Sequence, residues 1–391
     1  MGVMWKENLL EALRREEETI GEVCRTIYGF REVMFEERLS ASYLADLLEM
    51  RGFRVSRTAA GLETAFVAEL HLGKGGPRVG LLAEYDALPG LGHACGHNLI
   101  AASAVGAALA LASLKEEVAG TVVVCGTPAE EGGGGKVIMA RAGLFDDLAG
   151  ALYFHPSVRD DLYGSTLGCR MYKAGFRGRE AHVQMNPQEG RNALTGLVRA
   201  MAALDLARPV LPEMSRMGYV VTEGGKNPIL VPSSARGEFF LSAVEDKGCD
   251  LLQDRLESAL REAAEATGTH VDLTKVMDYP SVRLNGSLTD ALGRTMRHLG
   301  LRPAEPSLII VSTDCGAVSL RCPFGGFRLA LGEPAPFPHT PQFARLCGEP
   351  AGEEKAVLAA RILALTALEL FESEEVLYSA ARAFSERRQG E

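Results

Sequence analysis

Three compact apolar runs limit what this chain can fold into. RVGLLAEY at 78–85, GTVVVCG at 120–126 and LAGALYF at 148–154 are short, dense in aliphatic residues, and separated by stretches with helical spacing of apolar positions. Strands that are apolar on both faces belong inside a sheet covered by helices, and strands alternating with helices give a largely parallel sheet. The spacing predicts helices over 5–29, 38–52, 99–114 and 135–142, with a further strand over 64–70. The expected class is therefore α/β, with a mixed, largely parallel sheet flanked by helices.

The middle of the chain changes character. A strand over 168–180, a helix over 190–206, strands over 217–223 and 234–244, an amphipathic helix over 246–267 and a strand near 270–276 give a β-α-β-β-α-β order. That is the order of a small α+β sandwich. Helix, strand and helix then return, ending in an Ala/Leu-rich helix over 354–371 and a charged tail. The predicted organisation is a catalytic domain in two parts, 1–166 and 285–391, interrupted by an inserted domain over 167–284. No internal repeat or low-complexity tract is visible.

Composition excludes several classes of function. The net charge of -10 is spread along 391 residues and there is no basic stripe, so nucleic acid is not an expected partner. The first twenty residues, MGVMWKENLLEALRREEETI, are too charged for a secretory signal, and Lys6 stands where a myristoylation signal wants Ser or Thr. No uninterrupted apolar run reaches about 18 residues, so no membrane-spanning helix and a cytoplasmic location are expected. None of the eight cysteines forms a CxxC pair, which reads as reduced, mostly buried thiols.

The chemistry-bearing residues follow the apolar runs. The segment EYDALPGLGHACGHNLIA, Glu84 to Ala101, places Cys95 and His97 on either side of Gly96. A thiolate and an imidazole two positions apart meet one metal only if the backbone between them is not helical, which glycine permits. Asp86, at the end of the preceding strand, is placed to accept the second ring proton of a metal-bound His97. Alone, Cys-x-His is more often a buried loop with a hydrogen-bonded histidine. The next run leads into GTPAEEGGGGK, 126–136, where Glu130 and Glu131 cannot point the same way in an extended loop. One can hold a metal while the other takes a proton from water. Alone, they would be two exposed acids. Lys136 is followed by Val137, so the glycine run lacks the GxxxxGK[ST] pattern of a phosphate loop. His155 ends the third run, and His339 sits in PFPHTPQF, a loop stiffened by Pro338 and Pro341. The coincidence carries the argument. Ends of successive parallel strands fall on one edge of a sheet, and a thiolate, three imidazoles and a carboxylate suit one or two zinc-like ions.

The same residues resemble the M-twenty metallopeptidase family, in the amidohydrolase branch that includes aminoacylase-like enzymes, hippurate hydrolase, auxin-conjugate hydrolases and p-aminobenzoyl-glutamate hydrolase. LGHACGHN and STDCGAVS, at 312–319, look most similar to the p-aminobenzoyl-glutamate hydrolase and β-alanyl-lysine dipeptidase group. The resemblance covers nearly the whole chain and implies a zinc-peptidase-like catalytic domain with an inserted lid and dimerisation domain. It implies that Cys95, His97, Glu131, His155 and His339 are metal ligands and Glu130 the general base. It also implies that His182, in GREAHVQMNPQEGRNAL, reaches across a dimer to the substrate carbonyl, that Asn227, in EGGKNPILVP, contacts substrate, and that Asp314 lies near the site. On its own residues, His182 would be a surface histidine. Two departures stand out. Ser242 occupies the place of an arginine that grips a substrate carboxylate in relatives, with Arg236 six residues earlier, and Asn98 stands where many relatives have Asp.

The expected function is hydrolysis of an amide bond in a small N-acyl amino acid, dipeptide or aryl amide. One or two divalent ions per subunit, zinc first and manganese, cobalt or nickel as alternatives, would serve it. Two rivals remain: a Cys95 nucleophile with His97 as its base, which has poor geometry across one intervening residue, and a non-catalytic metal-binding scaffold. A purely structural zinc site would close with four Cys/His ligands of short local spacing, which the chain lacks.

Overall fold

The computed structural model describes residues 2–390. They divide into two compact units. The first takes in residues up to Ser165, Val282–Ile309 and the chain from Asp314 onward; the second takes in Thr166–Ser281 and Ile310–Thr313. The strands among the described residues, in chain order, are β1 (Arg54–Arg57), β2 (Phe66–His71), β3 (Arg78–Glu84), β4 (Thr121–Thr127), β5 (Gly150–Ser157), β6 (Asp161–Leu162), β7 (Gly168–Arg177), β8 (Arg216–Glu223), β9 (Ser234–Ala243), β10 (His270–Tyr279) and β11 (Phe324–Ala330).

The first unit is built on a seven-stranded sheet in the order β1-β2-β4-β3-β5-β11-β6. The four central strands β4, β3, β5 and β11 run parallel, and the pairings at both flanks are antiparallel. Every residue of β4 is buried, as is all of β3 beyond Arg78, which requires cover on both faces. The helix His97–Leu111 is buried along its whole length and packs against β3, against the helix Glu17–Phe30 and against the helix Pro350–Glu372. Small residues let these helices approach: a Cβ on Gly106 would lie 2.3 Å from Ile20. The stretch His97–Leu114 has the length and hydropathy of a membrane span, yet 89% of it is buried inside the fold, so it is a core helix. Asn98 lies in this helix and its amide nitrogen donates to the carbonyls of Cys24 (3.2 Å) and Cys347 (2.8 Å). A carboxylate could not donate to either, which accounts for an amide here rather than an acid.

The second unit is a four-stranded antiparallel sheet, β10-β7-β9-β8, packed on the helices Ala193–Ala207 and Asp246–Thr267. Alternation along β9 puts Ala235, Phe239 and Leu241 in a core shared with Phe176, Leu197, Leu252 and Leu256, while Arg236 faces solvent. Arg236 pairs with Glu223 at 3.4 Å, and Ser242 is 2% exposed, its hydroxyl without a hydrogen-bond partner among the described residues.

Three expectations shift at element ends. The helix expected over 5–29 is two helices, Gly2–Arg15 and Glu17–Phe30, meeting at Glu16. The strand expected to stop at Phe154 runs on through His155 to Ser157, because β11 pairs with it residue for residue. The charged tail is helical over Glu374–Gly390, supported by the i,i+4 pair Arg382–Glu386.

A buried ion triad ties the end of β3 to two later segments. Lys136, in the helix Gly135–Arg141, is fully buried, with Nζ 2.6 Å from Glu84 Oε1 and 2.6 Å from Asp314 Oδ1. Its backbone N–H donates to Asp314 Oδ2 at 2.9 Å, and the Tyr153 hydroxyl donates to Glu84 Oε2 at 2.8 Å. Removing one member of such a set leaves buried charge uncompensated, at a cost of about 3–5 kcal/mol. Lys136→Met is therefore expected to lower the unfolding free energy by that amount in a denaturant titration, and Lys136→Met with Glu84→Gln to recover part of it. An unchanged midpoint for the single variant would show that the triad does not hold the fold.

Candidate metal centre

The loops after β3 and β4, the end of β5 and the loop before the helix Pro341–Cys347 bring the predicted ligands together. Cys95 and His97 flank Gly96, whose φ of 80° ends the loop and starts the helix at His97. A Cβ on Gly96 would lie 2.5 Å from Pro156 Cγ, so the turn closes directly on the end of β5. Ala129, just before Glu130 and Glu131, also has a positive φ, 58°. The glycine run that follows is required by crowding: a Cβ on Gly135 would come within 2.0 Å of the Pro128 carbonyl oxygen. His339 has φ 63° and donates its backbone N–H to Ala94 O at 2.7 Å, which anchors its loop beside Cys95. Thr340 caps the next helix and Pro341 occupies its first turn.

Side-chain atoms converge accordingly. Cys95 Sγ lies 3.3 Å from His155 Nε2, and His339 Nε2 lies 3.4 Å from Glu131 Oε1. His97 Nε2 lies 3.8 Å from Glu130 Oε2 and 4.0 Å from Glu131 Oε1. Cys95, His97 and His155 place their donor atoms within 4.8 Å of one another, and so do Cys95, Glu131 and His339; the two sets share Cys95. Among the described residues, the buried atoms His97 Nε2 and Glu131 Oε1 have no hydrogen-bond partner. Orphaned buried donors and acceptors are rare unless something else satisfies them. A cation satisfies both, and the donor set of sulfur, imidazole and carboxylate fits a zinc-like ion.

The surroundings fix which ring atoms face the cluster. Asp86 Oδ1 is 2.9 Å from His97 Nδ1, and Asp86 Oδ2 accepts the Glu131 N–H at 3.0 Å. One carboxylate thus sets the His97 ring and the Glu131 backbone together. His155 Nδ1 donates to the Pro156 carbonyl at 2.6 Å, leaving Nε2 toward Cys95. Burial drops the His155 pKa to about 4, so this ring is neutral at physiological pH, the form that binds metal. Burial would raise the Asp86 carboxyl, but the His97 ring beside it brings it below its ordinary value. Burial, then the charges of Glu84 and Glu131, push the Glu130 carboxyl well up. Burial and then Glu131 push the Cys95 thiol well above its usual range, the opposite of an activated nucleophile. Glu84 Oε2 also comes within 3.5 Å of His97 Nε2. Reasoning from sequence passed over Glu84, which reads there as a strand end, and saw in Lys136 only a failed phosphate-loop pattern; a lysine inside an apolar helical run was the available signal.

His182 and Asn227 lie in the second unit, on loops paired with each other. His182 bridges to Leu230, and Val183 N–H donates to Ile229 O at 3.0 Å. His182 Nδ1 accepts from the backbone N–H groups of Gln184 (3.2 Å) and Met185 (3.3 Å), which places its proton on Nε2. The exposed Asn227 folds its Oδ1 onto the Ile229 N–H at 3.1 Å.

Comparison with known proteins gives the family. Residues 80–367 match the model of Peptidase family M20/M25/M40. The mouse Xaa-Arg dipeptidase is 32% identical over 99% of this chain and 93% of its own length. One of the two p-aminobenzoyl-glutamate hydrolase subunits of Escherichia coli is 32% identical over 74% of this chain and 64% of its own length. Among solved structures, a dinuclear metal-binding peptidase of the M20 family from Bacillus subtilis superimposes with a TM-score of 0.70 at 18% identity, covering 92% of this chain and 99% of that one. The chain therefore belongs to peptidase family M20/M25/M40, in its metal-dependent amidohydrolase branch, and is a hydrolase of amide bonds.

Proposed function

We propose that Cys95, His97, Glu131, His155 and His339 hold one or two divalent ions, zinc first among them, and that Glu130 is the general base for hydrolysis of a small amide. The observation that carries this is the pair of buried atoms His97 Nε2 and Glu131 Oε1, which have no hydrogen-bond partner among the described residues and are set among donors from Cys95, His155 and His339. Bound ions of this kind make water nucleophilic at neutral pH and polarise the scissile carbonyl. Glu130 accepts the water's proton and delivers it to the leaving nitrogen. Asp86 keeps the His97 ring in register by holding Nδ1. His182 offers its Nε2–H to the developing oxyanion, since two backbone donors already occupy Nδ1. Asn227, on the loop paired with that of His182, contacts the substrate.

The substrate class is a dipeptide, an N-acyl amino acid or an aryl amide. The relatives support trying a dipeptide with a cationic C-terminal residue first, because the match to the Xaa-Arg dipeptidase runs along almost the whole chain. We read residues 167–284 as an inserted lid through which two copies pair, and the protein as cytoplasmic. Ser242, buried in β9, supplies no guanidinium for a substrate carboxylate.

Two experiments test this reading. Glu130→Gln is expected to keep its metal content while kcat falls by about 100- to 10,000-fold; turnover within a few-fold of the parent would remove Glu130 from the reaction. A panel of amides with and without a free carboxylate, run with Zn, Mn, Co and Ni, is expected to show hydrolysis that disappears with chelator and returns with added metal. Activity that survives chelation but dies with iodoacetamide would favour a cysteine nucleophile instead.

A further inference from the structure

The loop carrying Glu130 and Glu131 is braced by a side chain 92 positions earlier in the chain. Ala129 sits at φ 58°, a left-handed conformation that is strained for a residue with a Cβ. The sign of φ at Ala129 sets the direction in which the next two residues leave the end of β4. Glu37 Oε1 accepts the Ala129 N–H at 2.8 Å. The Ala129 carbonyl accepts the N–H groups of Gly133 (3.0 Å) and Gly134 (2.8 Å), closing the turn from the other side.

Glu37 arrives on a segment wedged between the two ligand-bearing loops. Val33 bridges to Ala87, and Ala87 N–H donates to Glu32 O at 2.8 Å, joining the segment to the loop after β3. Phe35 lies so close to the glycine run that a Cβ on Gly133 would come within 2.2 Å of its ring. Glu37 itself has no exposed surface, and its carboxyl is set beside the Asp86 carboxylate and the Thr64 hydroxyl. Burying a carboxylate is costly, and burial pushes this one up to about 7. A costly acid aimed at the one strained residue before the glutamate pair calls for a reason beyond packing.

We propose that Glu37 is a positioning residue for hydrolysis: its carboxyl oxygen holds Ala129 in the left-handed conformation that directs Glu130 and Glu131. The proposal rests on the assignment of Glu130 as proton acceptor. Glu37 touches neither substrate nor metal; it acts through the Ala129 backbone.

The test is steady-state kinetics and metal analysis of metal-loaded Glu37→Ala, Glu37→Gln, Ala129→Gly and the Glu37→Ala/Ala129→Gly double variant. Glu37→Ala is expected to lower kcat by about 10- to 100-fold, the scale of a small misplacement of a reacting group, with KM within about twofold and metal content unchanged. Glu37→Gln keeps an oxygen that accepts the N–H and is expected to stay within about threefold of the parent. Ala129→Gly in the Glu37→Ala background is expected to restore kcat by about fivefold or more, because glycine adopts positive φ without strain. Should Glu37→Ala not fold, Glu37→Asp, whose carboxylate is withdrawn by one methylene, takes its place with the same expected pattern. Full kcat in Glu37→Ala, or a loss that Ala129→Gly does not relieve, overturns the proposal. Glu130→Gln assayed alongside separates the two assignments. An active Glu130→Gln removes the base, whereas an inactive one beside a fully active Glu37→Ala removes only the role of Glu37.

Discussion

Asp86 is the constraint on which the rest of the centre depends. Its two oxygens engage different loops, one at His97 Nδ1 and one at the Glu131 backbone N–H, so the ring that starts the core helix and the glutamate pair after β4 share one anchor. Without it, His97 could rotate and the Glu131 loop would lose a charge-assisted hydrogen bond. Asp86 is fixed in turn because it follows closely on β3, a strand buried between parallel neighbours. The path from sheet to site is thus short: strand end, carboxylate, ring nitrogen, and the Nε2 on the far side of the same ring, facing the ligand cluster.

Around that anchor the protein concentrates negative charge and then manages it in two ways. At the edge of the ligand cluster, Lys136 supplies a permanent cation between Glu84 and Asp314. Within the cluster, Glu130 and Glu131 face histidines and Cys95, and the donors are those a divalent ion uses. The buried lysine and the proposed ion binding are complementary answers to one electrostatic problem. A carboxylate in a low-dielectric interior needs a positive partner. The backbone carries its share of strain in the same place, with positive φ at Ala129 and His339, both at or beside proposed functional side chains.

Much of this was legible from sequence for a physical reason. Cys95, Gly96 and His97 are local, so the need for a non-helical residue between two ligands shows in the order of letters. Glu130 and Glu131 announce themselves by following an apolar run. The β-α-β-β-α-β order of the second unit follows from alternation and helical periodicity alone. His339 was legible only in part: Pro338 and Pro341 marked a stiff loop, but no strand leads to it, and its role as a ligand came from the family resemblance. Glu37 was hidden for another reason. It sits in the charged stretch FEER, 35–38, which looks like solvated surface, and its partner is a backbone N–H far along the chain. Buried polar partnerships of that range leave no periodic trace. Glu84 was obscured similarly, and the role of Asp314, which the resemblance put near the site, stayed open, because their shared lysine is visible as a partner only in three dimensions.

The central claim is that a cysteine thiolate and histidines from separate segments bind a common cation. The most direct test is the near-ultraviolet absorption of the cobalt-loaded protein. The account predicts a thiolate-to-cobalt charge-transfer band that Cys95→Ser abolishes while the other seven cysteines remain. A cobalt-loaded protein without that band, or one whose band survives Cys95→Ser, would contradict it.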